Sequence, residues 1–236
     1  MRWHRFIGRF NLADNKLRVN DKIILNQIKK VLRMKVGDQL ILADGQNNEA
    51  IVKITGFDKD FFEAQVLSRQ VNNKEPEVEA ILYCALLKKE NFEWVVQKAT
   101  EVGVAAIFPI ITERTVKLNL NQERLRKIAQ EAAEQSGRGK VPEICSVVSF
   151  IEAVNFAKQN KHNLFFDPVA SLKIESVLNK IKEGERVGIF IGPEGGWSDF
   201  ELDLAEQRNF LIVNLSQLIL RAETAAVTAV YLVCNS

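Results

Sequence analysis

From residue 80 onward, short apolar runs alternate with segments of helical periodicity, and that rhythm restricts the fold more than any other feature of the chain. Ala80–Leu87, Ala105–Ile111, Asn163–Phe166, Arg186–Ile191 and Phe210–Leu215 read as strands. Phe92–Val102, Asn121–Gln135, Ile151–Lys158, a stretch around Ile174–Ile181, a segment from Ser198 and a last one from Glu223 read as helices. In the first of these, Phe92, Val95, Val96 and Ala99 share one face, and Gly103 supplies a C-terminal stop. Strands so poor in polar residues need cover on both faces. The prediction is an α/β domain with a mostly parallel sheet between two helical layers.

Upstream the rhythm is different. Asp21–Val31 reads as a short helix with Ile23, Ile24, Ile28 and Val31 at helical spacing, and Val36-Gly37-Asp38 as a turn. Gln39–Ala43 is a strand stopped by the hairpin signal Asp44-Gly45, and Glu49–Phe57 and Phe61–Ser68 give two more. This predicts a small β-rich domain. The polar stretch 70–79, which contains Pro76, reads as a linker. The expected division is therefore 1–72 and 73–236.

Charge is distributed unevenly between these parts. The whole chain is net +2, yet residues 1–35 hold ten cations against Asp14 and Asp21, so that segment is +8 and the remainder −6. Trp3, His4, Phe6 and Phe10 are interleaved with the arginines. Aromatic faces stack on bases while cations meet phosphates, so RNA is the expected partner. Arg2, Arg5, Arg9, Arg33 and Lys35 are the candidate phosphate contacts. Cys84, Cys145 and Cys234 are too widely spaced for a metal motif or a disulfide framework, which points to a reducing cytoplasm and no metal. Only His4 and His162 are present, which argues against histidine metal sites and Ser–His hydrolysis; His162 lies in a polar run and reads as solvated. The basic start lacks the apolar core of a signal sequence, and the longest apolar run, Ala225–Cys234, is too short to span a bilayer.

Two segments carry the chemistry. Gly192-Pro193-Glu194-Gly195-Gly196-Trp197 directly follows the strand ending at Ile191, and Ser198 with Glu201 forms a capping box for the next helix. Glycines there let the backbone approach a ligand closely. The spacing fits neither a Walker loop nor the dinucleotide fingerprint, and a tight structural turn is the alternative reading. Leu215-Ser216-Gln217-Leu218-Ile219-Leu220-Arg221-Ala222-Glu223-Thr224-Ala225 follows the next strand and sets an arginine and a carboxylate at the mouth of an apolar helix. Plain helix capping by Glu223 or Thr224 is the alternative there.

In order along the chain, five motifs resemble the RsmE family. These are bacterial enzymes of the SPOUT superfamily that methylate uridine N3 in small-subunit ribosomal RNA. Val31–Asp38 is similar to the family's PUA-like domain. Lys98–Gly103 with Pro109 and Thr112-Glu113-Arg114 is similar to its first catalytic motif, and Glu131–Arg138 with Pro142 to its second; Gly192–Gly196 and Leu220–Ala225 match the last two. Ser216 stands where the family usually has glycine, Leu218 where it commonly has arginine, and Thr115 where serine is more usual. The resemblance implies a C-terminal domain with a deep trefoil knot behind a PUA-like RNA-binding domain. It implies S-adenosyl-L-methionine held by Ile191, Gly192, Glu194, Gly195, Gly196, Leu215, Ser216, Ile219, Leu220 and Thr224. It further implies catalysis by Arg221 and Glu223, Gln135, Ser136 and Arg138 on the RNA side, a homodimer, and ribosomal RNA of the small subunit as substrate. A ribose 2′-O methyltransferase on the same scaffold and a non-catalytic ribosome-assembly protein are the alternatives.

Overall fold

The computed structural model describes residues 3–115 and 119–236. They form two compact units: residues up to 75 together with 133–141, and residues 76–132 with 142–236.

The first unit is built on a five-stranded sheet of strands β1 (Arg5–Ile7), β2 (Lys16–Val19), β3 (Gln39–Ala43), β4 (Asn48–Phe57) and β5 (Phe62–Val71), in the order β1-β3-β4-β5-β2. β1 lies parallel to β3, and the other pairings are antiparallel. β1 and β2 were not foreseen; at three and four residues they are too short for alternation to register. Helix α1 (Lys22–Asn26) starts where Asp21 accepts the amides of Ile23 and Ile24, and a π-helical turn over Gln27–Val31 follows. The expected apolar face is only partly formed. Ile24 and Ile28 are buried with Leu40, Leu42, Val52, Ile54 and Phe62, whereas Ile23 and Val31 point to solvent.

Three sequence readings meet a different arrangement in this unit. Arg5, a candidate phosphate contact, has its guanidinium buried against Glu49, itself a buried residue that also accepts Gln70 at 2.5 Å and Asn72 at 3.2 Å. Arg138, expected on the RNA side of the pocket, is turned inward onto Glu75 at 2.7 Å, and Glu75 also accepts the amides of Gly139 and Lys140. A guanidinium so placed neutralises a carboxylate largely shielded from water, and a phosphate contact would take away that carboxylate's counter-charge. The single cut between 72 and 73 also gives way to a discontinuous unit. The amide of Ile7 donates to Glu134, and Asn72 donates to the carbonyl of Gly137, so polar contacts from a distant segment complete it. Local periodicity does not encode such contacts. Arg2 lies outside the described residues, while Arg9, Arg33 and Lys35 are exposed.

The second unit has a seven-stranded sheet: β6 (Glu79–Ala85), β7 (Ala106–Ile111), β8 (Glu143–Ile144), β9 (Val148–Ser149), β10 (His162–Phe166), β11 (Arg186–Ile191) and β12 (Leu211–Val213). The order is β12-β10-β11-β6-β7-β8, with β9 on β7, and every pairing is parallel. Helices α2 (Lys89–Glu101), α3 (Gln122–Ser136), α4 (Phe150–Phe156), α5 (Glu175–Leu178), α6 (Asp199–Gln207) and α7 (Ala222–Cys234) connect the strands or end the chain. α7 packs on α2, β6 and β11. A second cluster sets Phe150 and Ala153 of α4 and Ala205 of α6 against Tyr83, Phe165, Phe190 and Trp197. Within it the rings of Tyr83 and Phe190 stack at 4.4 Å, and those of Phe165 and Trp197 approach to 4.2 Å. The expected α/β domain with a parallel sheet is present. His162, read as solvated, is half-buried with Nε2 3.2 Å from Glu185.

Burial pulls the Glu49 carboxyl upward, but hydrogen bonds from Arg5, Gln70 and Asn72 and the charge of Arg5 outweigh it and hold the group below its ordinary value of 4.5. A group depressed in the folded state stabilises it above the unfolded value and loses that contribution as pH falls through the folded one. Melting temperature should therefore drop more steeply between about pH 5 and pH 3 in the parent protein than in Glu49→Gln. Equal slopes in a thermal melt series would remove Glu49 from this role.

Candidate active site

β10, β11 and β12 are neighbours, and their register sets Phe166 level with both Ile191 and Val213. Their carboxyl ends therefore share one edge of the sheet, where an open α/β sheet places its ligands. The loops that leave this edge enclose a cavity of about 360 Å³ lined by Asp167, Ile191, Gly192, Glu194, Leu215 and Arg221, among others. That volume lies within the range of roughly 300–1,000 Å³ typical of small-molecule sites.

Each loop is held in shape by its own residues. After β10, the amide of Asp167 donates to Val213, and the carbonyl of Phe166 accepts the Trp197 indole at 2.9 Å. After β11, the chain passes so close to that indole that a Cβ on Gly192 would lie 2.9 Å from Trp197 Cε2. Gly196 has φ +71° and closes a turn by donating to Pro193. The capping box is then completed, with Glu201 accepting the Ser198 amide and Ser198 Oγ accepting that of Glu201. After β12, Asn214 accepts the Ser216 amide at 2.8 Å and donates to the Pro168 carbonyl at 2.6 Å, which fastens this loop to the one after β10. Ser216 Oγ accepts the Leu218 amide at 3.0 Å. Ser216 is not among the described residues with positive φ, so its Cβ costs no backbone strain and its hydroxyl shapes the turn.

Ile191, Gly192, Glu194, Gly196, Leu215, Ser216, Ile219 and Leu220, all expected at a cofactor, line this cavity. Gly195 and Thr224 do not. The carbonyl of Gly195 faces Arg114 instead, and Thr224 is exposed on α7. Arg221 lines the cavity as the N-cap residue of α7, without a side-chain cap bond. Glu223 lies half-buried in the first turn of that helix and does not line the cavity. Sequence reasoning missed Phe166, Asp167, Pro168 and Asn214. The available signal was an Asp-Pro pair directly after a recognised strand of the same sheet.

The cavity is mostly apolar, with carboxylates at its margin. Leu218 and Ile219 face it while 74% and 88% exposed, a costly placement for aliphatic side chains unless an apolar ligand surface covers them. Burial pushes the Cys84 thiol far above its usual range, and the nearby carboxylates of Glu194 and Glu223 add to this. Cys84 therefore stays protonated and is neither nucleophile nor base. Among the described residues no group of three or more metal-binding side chains occurs, and no helix is long and apolar enough to cross a membrane.

Residues 73–234 match the sequence profile described as an RNA methyltransferase domain, and residues 28–67 match one described as an RNA methyltransferase PUA domain. The ribosomal RNA small subunit methyltransferase E of Rickettsia conorii is 30% identical over 98% of this chain and 94% of its own. The chain belongs to the ribosomal RNA small subunit methyltransferase E family. Solved structures agree with this family assignment. The family's Neisseria gonorrhoeae member, bound to S-adenosyl methionine, superposes with a TM-score of 0.86 at 28% identity, covering 97% of this chain and 95% of that one. A Legionella pneumophila protein solved with the same cofactor gives 0.87 at 31% identity, over 99% and 97%. The family's RNA methyltransferase and PUA-type regions are thus both present here.

Gly192→Ala should force its new methyl into the Trp197 indole. The expected result is about 1–3 kcal/mol of lost stability and a shifted tryptophan emission. A chemical denaturation midpoint equal to that of the parent would show that the indole can move aside freely.

Proposed function

We propose that this protein transfers the methyl group of S-adenosyl-L-methionine to N3 of a uridine in 16S ribosomal RNA. The observation that supports this reading best is the glycine-walled, largely apolar cavity at the common carboxyl edge of β10, β11 and β12. Its volume of about 360 Å³ and its apolar lining suit an adenosyl group. Leu215, Ile219 and Leu220 offer apolar surface for the adenine, and the loop after β11 presents Gly192 and Gly196 to the cavity. Asp167 and Glu194 are the lining carboxylates, suited to ribose hydroxyls or the amino group of the methionine end. When bound, the cofactor supplies an electrophilic sulfonium methyl.

What the chain contributes is placement and charge. Methyl transfer needs the attacking nitrogen in line with the methyl, so holding both partners in position lowers the barrier substantially. Uridine N3 also has to lose a proton, which places negative charge on the ring. Arg221, the cation that lines the cavity, stabilises that charge. Glu223 takes the proton through water rather than by direct contact, because it does not line the cavity itself. The target base has to leave the RNA stack to reach this depth. Arg9, Arg33 and Lys35 in the first unit hold the RNA backbone, while Arg5 and Arg138 are engaged in buried ion pairs. The protein works as a homodimer in the cytoplasm, with a partner subunit covering the exposed Tyr231 of α7.

Incubation with labelled S-adenosyl-L-methionine and undermodified small ribosomal subunits, followed by mapping of the label, tests this reading. Label on a uridine base is expected. Label on a ribose would favour 2′-O transfer, and none at all would favour the assembly-factor alternative. Arg221→Ala should lower kcat on such subunits by about 100-fold, the scale of losing one preorganised charge-stabilising group. Near-normal turnover in that variant would remove Arg221 from the proposed role.

A further inference from the structure

The loop after β11 is pinned at both ends, by Gly192 against the Trp197 indole and by the capping box at Ser198. Its middle is held by a turn from a different part of the sheet. Directly after β7, Thr112 and Thr115 close a short turn: the Thr112 amide donates to Thr115 Oγ1 at 3.1 Å, and the two hydroxyls lie 2.6 Å apart. Glu201, only 1% exposed, joins this turn to the loop. One of its oxygens accepts the Ser198 amide and the other the Glu113 amide, both at 2.9 Å. A buried carboxylate that accepts amides from two segments locks them together, since withdrawing either leaves one of its buried oxygens without a partner.

The locked turn delivers Arg114 to the loop. Its Nη1 donates to the Gly195 carbonyl at 2.9 Å, and a Cβ on Gly195 would lie 3.4 Å from Arg114 Cβ, so the side chain runs flat along the glycines. The Gly196 amide of this peptide is held by Pro193, and the Arg114 bond restrains its carbonyl as well, between two adjacent glycines that have the most freedom to lose. We propose that Arg114 and Glu201 are positioning residues for the cofactor: the Thr112–Thr115 turn braces the glycine loop in the conformation that binds S-adenosyl-L-methionine. This rests on the cofactor reading given above. Arg114 acts through the Gly195 carbonyl and does not line the cavity.

A charge-assisted hydrogen bond of this kind is worth roughly tenfold or more in an equilibrium. Arg114→Ala should therefore raise the KM and the calorimetric Kd for S-adenosyl-L-methionine by about 10-fold, with kcat at saturating cofactor reduced less than about threefold. The melting temperature without cofactor should fall by only about 2–4 °C in a chain of this size. Arg114→Lys, which can still donate to the carbonyl, should recover part of the affinity. Glu201→Gln should shift Kd in the same direction, and the double variant should be weaker by less than the product of the two singles. A parent protein that binds the cofactor while Arg114→Ala binds it equally well would overturn the brace. Failure of the parent protein to bind at all would instead overturn the cofactor reading. Equal loss in the alanine and lysine variants would also count against donation to Gly195 as the cause.

Discussion

Parallel pairing of β10, β11 and β12 is the constraint on which the site depends. Register sets the last residues of the three strands side by side, so that loops separated by more than twenty positions in the chain open from one edge. Burial enforces that pairing. Phe165, Phe190 and Val213 are fully enclosed, and a slip by one residue would exchange the close-packed side chains of the two faces. The cavity follows from this alignment together with glycines at the places where backbone or indole comes closest.

Buried and half-buried carboxylates act as joints in both units. Glu49 gathers Arg5, Gln70 and Asn72, Glu75 gathers Arg138 and two amides, and Glu201 gathers the amides of Ser198 and Glu113. Each is costly to bury without partners and specific once they are in place. This changes the meaning of the basic character of the N-terminal segment. Arg5 is neutralised inside the protein, so the cationic surface offered to a polyanion is smaller than a count of arginines suggests. Arg9, Arg33 and Lys35 are among the cations that remain exposed.

Much of the second unit was legible from periodicity. Arg186–Ile191 was recognised to the residue, and the α2 face of Phe92, Val95, Val96 and Ala99 is fully buried. The two glycine- and polar-rich loops were recognised by their position after strands. The shorter strands β8 and β9 escaped notice because two residues carry no pattern. Likewise the π-helical turn at Gln27–Val31 gave no sign in the sequence, since a widened turn keeps the same residues and moves only their directions.

The sequence by itself determined the strand–helix rhythm, the capping box at Ser198 and Glu201, and the glycines that permit close approach, because these depend on neighbours within about one turn or one strand. Tertiary structure alone decided which charges are available and which loops meet. Arg5 and Arg138 find carboxylates 44 and 63 positions away, and Arg114 finds a carbonyl 81 positions away. Asp167 and Asn214 join the cavity only because their strands pair. The reason is physical: hydrogen bonding and desolvation depend on distance in space, and a chain's local pattern specifies which elements form without specifying which polar groups they bring together.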